Sequence, residues 1–235
     1  MHYIIGDIHN EAKKLHNILE QINPRYDEEV IVLGDLFDRG GSAPDPVGVY
    51  FTLSGLPGKC TWIRGNHDHW LANYIVKYFS LPKRKRERMN PYTYNSFDLM
   101  QFRMTETDML DLAHLILDLP LQKELLLEGK RYLFAHAMTS YPSIQQPESY
   151  YMMGNWELDT FFLEGTEGYI SFCGHTPTGN ILWKKGGVYL DNPMRSIWRN
   201  DRGNVYLLDC GSGHAGGRLA CICLETGERF YSREQ

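Results

Sequence analysis

The sequence predicts an α/β fold with parallel strands in its first half, and three observations lead there. Short apolar runs at His2–Ile5, Val30–Leu33 and Cys60–Ile63 have the length and composition of buried strands. Each run is followed within a few residues by glycine together with Asp or Asn. Between the first two, Leu15, Ile18, Leu19 and Ile22 recur at helical spacing. Strands that alternate with amphipathic helices in this way form parallel sheets.

Downstream, the pattern is helical from Trp70 to Leu117, broken by the basic run Lys83-Arg84-Lys85-Arg86-Glu87-Arg88. Strand-like runs follow at Leu125–Leu127, Arg131–Ala135, Tyr169–Cys173, Val188–Leu190, Val205–Leu208 and Leu219–Leu224, mostly joined by glycine-rich turns. We expect a single domain over 1–235 with a helical insertion at about 70–118. At 43% hydrophobic and 23% charged, the 235-residue chain can bury a core. A net charge of −5 gives no basic field for nucleic acid, so such a partner is not expected. No apolar run approaches the roughly 20 residues that cross a bilayer, and the first residues do not form a signal peptide. Five cysteines without a CxxC pair suit a reducing compartment. The expected setting is the cytoplasm.

Each early strand ends in a polar cluster: Gly6-Asp7-Ile8-His9, Gly34-Asp35-Leu36-Phe37-Asp38-Arg39-Gly40, and Arg64-Gly65-Asn66-His67-Asp68. Ligands of an open α/β sheet sit beyond the carboxyl ends of its strands, so the clusters should converge. Glycine before each acid would let the backbone turn sharply. Asp7 and His9, two apart, would share one side of an extended backbone. Asp35 could bridge two metals, because a carboxylate has two oxygens. Later, Leu133-Phe134-Ala135-His136 and Phe172-Cys173-Gly174-His175-Thr176-Pro177 each deliver a histidine at the end of an apolar strand. One Gly-Asp after a strand is usually a turn, and one such histidine is usually structural. Five clusters in this order, each at a strand tip, point instead to a metal site. A carboxylate, imidazole and amide donor set without thiolate favours manganese, iron or zinc over calcium or an iron–sulfur cluster.

These motifs resemble the PPP family of metallophosphatases, whose pattern is GDxHG, GDxxDRG, GNH(D/E) and two separated histidines. The small bacterial and phage branch is the most similar, with its lambda-type serine/threonine protein phosphatases and symmetrical diadenosine tetraphosphatases. His136-Ala137, Gly174-His175-Thr176-Pro177 and Leu208-Asp209-Cys210-Gly211 match contexts of that branch. The resemblance covers Ile4 to about Leu224. It implies a four-layer α/β/β/α sandwich of the metallophosphoesterase type and two divalent ions, with manganese favoured and iron or zinc as alternatives. Asp7, His9 and Asp35 would hold one ion; Asp35, Asn66, His136 and His175 the other. His67 would protonate the leaving oxygen, oriented by Asp38, while Arg39 and Arg64 would clamp the phosphate. The implied activity is hydrolysis of phosphate esters by metal-activated water. Asp68 and His69 would lie outside the ligand set, on the surface or behind it.

Two departures stand out. Asn10 replaces the glycine after the first cluster, a small loop change because Asn tolerates left-handed backbone. No Arg or Lys occurs from Ala137 to Gly174, where the family pattern places a further phosphate-binding arginine. Asn155-Trp156-Glu157 stands there instead. Arg195, Arg199 and Arg202 are candidates to supply the cation, although loop arginines are more often solvated. Lys83–Arg88 reads as a solvated helix face, and Cys221 and Cys223 as core. Trp156, Trp183 and Trp198 could line the cleft or pack inside. A phosphoprotein phosphatase is the first expectation and a diadenosine tetraphosphate hydrolase the second. A non-catalytic phospho-partner binding module is the third, disfavoured by an intact Asp38, Arg39 and His67. The acids Glu148, Glu157, Asp159, Glu164 and Glu167 in the cation-free stretch would repel a polyphosphate more than a phosphopeptide.

Overall fold

The computed structural model describes residues 1–181, 186–192 and 195–233. Along the chain run β1 (His2–Ile5), α1 (Ala12–Ile22), β2 (Glu29–Val32), α2 (Pro46–Ser54), β3 (Lys59–Trp62), α3 (Asn66–Ser80), α4 (Lys83–Arg86), α5 (Ser96–Gln101) and α6 (Glu106–Leu117). The second half contains β4 (Gln122–Leu127), β5 (Lys130–Ala135), α7 (Glu148–Met153), α8 (Leu158–Glu164), β6 (Ile170–Cys173), β7 (Gly187–Tyr189), β8 (Trp198–Asn200), β9 (Val205–Leu207), β10 (Ala220–Cys223) and β11 (Arg229–Tyr231).

Period-2 alternation sorts the strand residues into layers. Tyr3, Ile5, Val30, Val32, Cys221 and Cys223 face the helices, in a core shared with Leu15, Ile18, Leu71, Ile75, Phe97, Leu112 and Ile116. Their neighbours Ile4, Ile31, Ala220 and Ile222 turn the other way and meet Tyr132, Phe134 and Phe172 of the second sheet. The outer face of that sheet offers Cys173, Val205 and Leu207 to Phe161 and Phe162 of α8. Helices, sheet, sheet and helices therefore stack as the four-layer α/β/β/α sandwich. Both Cys221 and Cys223 are core residues, and Trp198 packs in the outer core. Trp183 lies outside the described residues.

The sheets run in the orders β11-β10-β1-β2-β3 and β4-β5-β6-β9-β8-β7. The trios β1-β2-β3 and β5-β6-β9 are parallel. The flanking strands are antiparallel, so both sheets are mixed rather than wholly parallel. Six parallel strands thus send their carboxyl ends toward one edge of the sandwich.

Helices α3, α5 and α6 form part of the first helical layer, with α6 started by a Thr105–Asp108 capping box. Two details of the sequence reading change. Asn66, His67 and Asp68 occupy the first turn of α3, four residues ahead of the expected helical start at Trp70. The basic run is itself the short α4, whose Arg86 pairs with Glu106 and covers Phe79, while Lys83, Arg84, Lys85 and Arg88 are exposed. Helices α2, α7 and α8 and strands β8 and β11 were not legible in the apolar pattern. They are short, and α7 and α8 bury only two residues each.

Ile4 is wholly buried between the sheets. Ile4→Ala should cost about 2–5 kcal/mol through lost transfer energy and a residual cavity. At this chain length, that lowers Tm by about 5–15 °C. Differential scanning calorimetry would measure it.

Candidate metal centre and its surroundings

The loops after β1, β2, β3, β5, β6 and β9 meet at the shared edge of the two sheets. The first two are zipped together: Ile8 and His9 donate their backbone N–H groups to Asp35 O, at 3.0 and 2.9 Å, and Asn10 N donates to Leu36 O at 3.0 Å. Of the eight non-glycine residues with positive φ among the described residues, six are His9, Asn10, Asp35, Asp38, Arg39 and His175. Left-handed backbone costs these residue types on the order of 1 kcal/mol each. Its concentration here marks a site whose geometry is imposed by the surroundings. His9, at φ 52°, is not extended, so a turn brings it beside Asp7 rather than the strand alternation expected from their spacing. Gly34, at φ 98°, makes the sharp turn expected of a glycine ahead of Asp35. At Gly65 and Gly174 close approach is the need: a methyl group would overlap Asp35 at the first and Asp7 at the second.

Two groups of donors result, and they share Asp35. Asp7, His9 and Asp35 offer ligand atoms within 4.8 Å of one another, and so do Asp35, His136 and His175. Nδ1–H of His136 donates to Leu33 O at 2.8 Å and Nδ1–H of His9 to Phe37 O at 3.1 Å. These bonds fix the tautomers, because a carbonyl can only accept. Each Nε2 then points its lone pair at Asp35 Oδ2, at 3.3 Å from His136 and 3.7 Å from His9. Lone pairs that face a carboxylate oxygen need a cation between them. Asn66 gives the same message. Its Oδ1 lies 3.1 Å from His136 Nε2 and 2.9 Å from His175 Nδ1, three acceptors in mutual contact. With lone pairs on both imidazoles and nothing between, the amide would sit better reversed, its nitrogen donating to both rings and to Met152 O. Oxygen inward is the orientation a cation requires. The donor set therefore fits divalent metal.

Electrostatics agree. Burial alone would push the His136 imidazolium down, but the Asp35 charge and hydrogen bond, with Asp7 behind them, hold it up to about 10. Asp35 is correspondingly held down: burial would raise it, and the His136, His9 and His67 imidazoles more than reverse that. Burial and the nearby Asp209 push Asp7 up. Burial lowers His9 to about 3 and, with His136 beside it, His175 to about 4. In the absence of metal, a proton on His136 takes the cation's place.

Beside this cluster, His67 Nδ1–H donates to Asp38 Oδ2 at 3.1 Å, and His67 N donates to Asp35 Oδ1 at 2.9 Å. Its Nε2 makes no hydrogen bond among the described residues. Edge contacts from His9, Trp70 and Tyr94, with ring centroids 5.1, 5.0 and 4.4 Å away, hold the imidazole. Arg39, half-buried, donates from Nη1 to His214 Nε2 at 3.2 Å.

Arg64 departs from the expectation of a free phosphate clamp. Its Nη1 donates to Leu117 O at 2.8 Å and its Nη2 to Glu148 Oε1 at 3.0 Å, so the folded chain has already committed the guanidinium. Asp68 is wholly buried rather than superficial. It accepts Leu36 N at 2.8 Å and Gly65 N at 3.0 Å, fastening the second loop to the third. Asn155, Trp156 and Glu157 are exposed, with Trp156 at 87%. Arg195 is bound to Gly216 O, and Arg202 faces Glu164 at 3.8 Å. Tyr92, Asn95 and Ser96 belong to the surroundings of the site and were not singled out from sequence, and Asp209 figured only within a motif, without a role. Asp209 alone carried a signal, an acid directly after an apolar strand.

The calcineurin-like phosphoesterase profile matches residues 3–208. The chain belongs to this family. It is a metal-dependent phosphoesterase, and its family uses divalent ions. Among curated relatives, an uncharacterised protein of Methanocaldococcus jannaschii is 26% identical over 203 residues, which covers 83% of this chain and 72% of the relative. A symmetrical bis(5′-nucleosyl)-tetraphosphatase of Buchnera aphidicola is 32% identical over 98 residues, covering 41% of this chain and 33% of that protein. Two solved structures share the fold. One is a candidate diadenosine tetraphosphatase, with TM-score 0.61, 17% identity and coverage of 100% of this chain and 93% of the other. The other is a Saccharomyces cerevisiae serine/threonine phosphatase, with TM-score 0.54, 15% identity and coverage of 100% and 80%. No helix among the described residues is long and apolar enough to cross a membrane.

Because His136 holds its proton up to about 10, metal must expel that proton at neutral pH. Metal binding should release protons at pH 7, and affinity should rise with pH from 6 to 9. Titration calorimetry with manganese, in buffers of different ionisation enthalpy, reads both. Asp35→Asn removes the shared donor, and metal content after dialysis should fall toward zero.

Proposed function

We propose that this phosphoesterase hydrolyses phosphate monoesters, with phosphorylated serine or threonine of proteins or peptides as its principal substrate class. The observation that supports it is one carboxylate, Asp35, shared by both donor groups while its Oδ1 accepts from the backbone of His67. That arrangement fixes a proton donor beside the ions. Asp7, His9 and Asp35 would hold one ion, and Asp35, Asn66, His136 and His175 the other. Held there, two divalent ions (manganese foremost, iron or zinc as alternatives) would polarise the phosphoryl group and ionise a water for in-line attack. His67 donates from Nε2 to the departing oxygen as the P–O bond breaks, and Asp38 keeps that proton on the outward nitrogen. Arg39 receives the phosphate oxygens. Arg64 reaches them only by leaving Glu148. The site and its substrate would lie in the cytoplasm.

The acid-rich segment supports a peptide over a polyphosphate. A hollow of about 670 Å³ begins two residues past His136 and is lined by Glu157, Glu164, Glu167 and one cation, Arg202. Such a lining repels a chain of phosphates and suits a basic peptide flank. The second reading, symmetrical hydrolysis of diadenosine tetraphosphate, draws support from the relatives that carry that activity in their names. Parallel assays with manganese on phosphopeptides and on diadenosine tetraphosphate separate them. A kcat/KM higher on the nucleotide would overturn the first reading.

Two mutations test the roles. His67→Asn should leave metal content intact and cost about 10²–10⁴ on an alkyl phosphate, whose leaving group is basic. p-Nitrophenyl phosphate leaves as a stable anion and should lose far less. Equal losses would assign His67 to phosphate positioning instead.

Glu148→Gln releases Arg64 from its ion pair, so KM for phosphomonoesters should fall severalfold. An unchanged KM would show that Arg64 does not reach the substrate. Arg39→Ala should cost more in kcat/KM than Arg64→Ala, since charged hydrogen bonds are worth about 1.5–3 kcal/mol and Arg39, unlike Arg64, has no anionic partner among the described residues.

A further inference from the structure

Outside the metal centre, a set of buried polar contacts joins the loop after β2 to a segment more than fifty residues downstream. Tyr92 Oη donates to Asp38 Oδ2 at 2.6 Å, the same oxygen that accepts from His67 Nδ1. Asp38 Oδ1 is buried without a partner, so Oδ2 carries both of the side chain's bonds. Asp38 N donates to Ser96 Oγ at 2.6 Å. Asn95 Nδ2 donates to Arg39 O at 2.6 Å. Asn10 is wholly buried: its Nδ2 faces Ser96 Oγ at 3.0 Å, Asn95 Oδ1 at 3.2 Å and Arg39 O at 3.3 Å, and its Oδ1 accepts from Ser96 Oγ at 3.1 Å.

Every backbone unit grasped here is in a conformation it would not hold alone. Asn10, Asp38 and Arg39 have φ of 61°, 67° and 60°. Asp38 brings its carboxylate under His67, and Arg39 aims its guanidinium outward, only because those angles are enforced. A glycine at position 10, as in the related motif, would adopt the angle freely but contribute nothing to the grasp. Burial and the Asp38 charge raise the Tyr92 hydroxyl above its ordinary range, so it remains a donor throughout. Tyr94, two residues on, packs its ring on His67 at 4.4 Å.

We propose that Tyr92–Ser96 is a strap that positions the catalytic loop, with Tyr92 a positioning residue for His67 through Asp38 and Asn95 one for Arg39. The proposal rests on the reading of His67 as proton donor. Removing the Tyr92 hydroxyl leaves a buried carboxylate with one partner and lets it turn, so His67 loses the alignment of its outward proton. The effect must then scale with how much proton the leaving group needs. A tyrosine that only packs would not produce that dependence. Asn95 acts on the phosphate instead, so its loss should raise KM whatever the leaving group.

The test uses the manganese-loaded full chain with p-nitrophenyl phosphate and phenyl phosphate. Tyr92→Phe should lower kcat on phenyl phosphate about tenfold, inside the 10²–10⁴ a general acid is worth, and on p-nitrophenyl phosphate by less than about twofold. In a His67→Asn background, Tyr92→Phe should add nothing. Asn95→Ala should raise KM about fivefold on both substrates, the worth of one hydrogen bond, and leave their kcat ratio unchanged. Equal slowing of both substrates by Tyr92→Phe, or further slowing of His67→Asn, overturns the role of Tyr92. If His67→Asn discriminates the substrates and Tyr92→Phe does not, the strap fails while the proton donor stands. If His67→Asn itself does not discriminate, the proton-donor reading fails and the strap with it. Should Tyr92→Phe not fold, the Asn95→Ala arm decides: an unchanged KM overturns the proposal.

Discussion

Asp35 carries a negative charge at the tip of β2 with almost no water to share it, and the surrounding loops are arranged to answer that charge. His67 N donates to one of its oxygens at 2.9 Å, while the Nε2 atoms of His136 and His9 stand at 3.3 and 3.7 Å from the other. An isolated buried carboxylate would be too costly to keep ionised. Here the imidazoles reverse the cost and hold its pKa down. The same residue organises the backbone, because its carbonyl accepts from both Ile8 and His9 and its left-handed φ of 48° turns the chain toward Gly65. Charge and ligand supply depend on the side chain of this residue and loop closure on its backbone, so all three converge on one position.

The two sheets make that arrangement possible. Asp7, His9, Asp35, Asn66 and His67 follow the strands of the first sheet, and His136 and His175 those of the second. Their relative position is set by the dry interface of Ile4, Ile31, Phe134 and Phe172. It is locked by polar bonds that cross between the sheets: His136 Nδ1–H to Leu33 O at 2.8 Å and His175 N to Asp7 Oδ2 at 3.1 Å. Close-packed interiors transmit displacement rather than absorb it. Repacking between the sheets would therefore act on the distance between the donor groups.

The donor cluster was legible in the sequence because its chemistry admits few residue types and the fold admits few places for them. An acid or histidine after an apolar strand can be read locally, whereas the four layers came only with the family resemblance that the motifs carry. Tyr92, Asn95 and Ser96 give no such signal. Tyrosine, asparagine and serine are common in loops, and their role is fixed by contact with residues 39, 38 and 10, far away in the chain. Asn10 was visible as a departure from glycine, but not its partners. Arg64 was read from its motif, yet its state depends on Glu148, which no local pattern connects to it. For Asp68 the sequence left the surface and a place behind the ligands both open, and loop N–H groups that no local pattern reveals decide for the second.

The arginine gap and the strap bear on one problem. Where the resemblance led us to expect a further cation, between His136 and His175, the chain supplies Glu148 instead, and that acid occupies Arg64. Among the described residues, Arg39 is then the arginine near the donor cluster that has no acidic partner. A single flexible guanidinium would lose rotamer freedom and backbone freedom on meeting phosphate, and its contribution would be correspondingly small. Asn10 and Asn95 remove the second of those losses in advance by holding the Arg39 carbonyl, and with it the left-handed turn from which the side chain departs. Fixed placement is worth as much as added charge when the ligand must sit within a fraction of an ångström of its reacting partners. A chain with fewer cations at the phosphate thus depends more on the polar contacts behind the one it keeps. On the proposed role of Arg39, Asn10 would then strengthen the one guanidinium near the donor cluster that no acid among the described residues occupies.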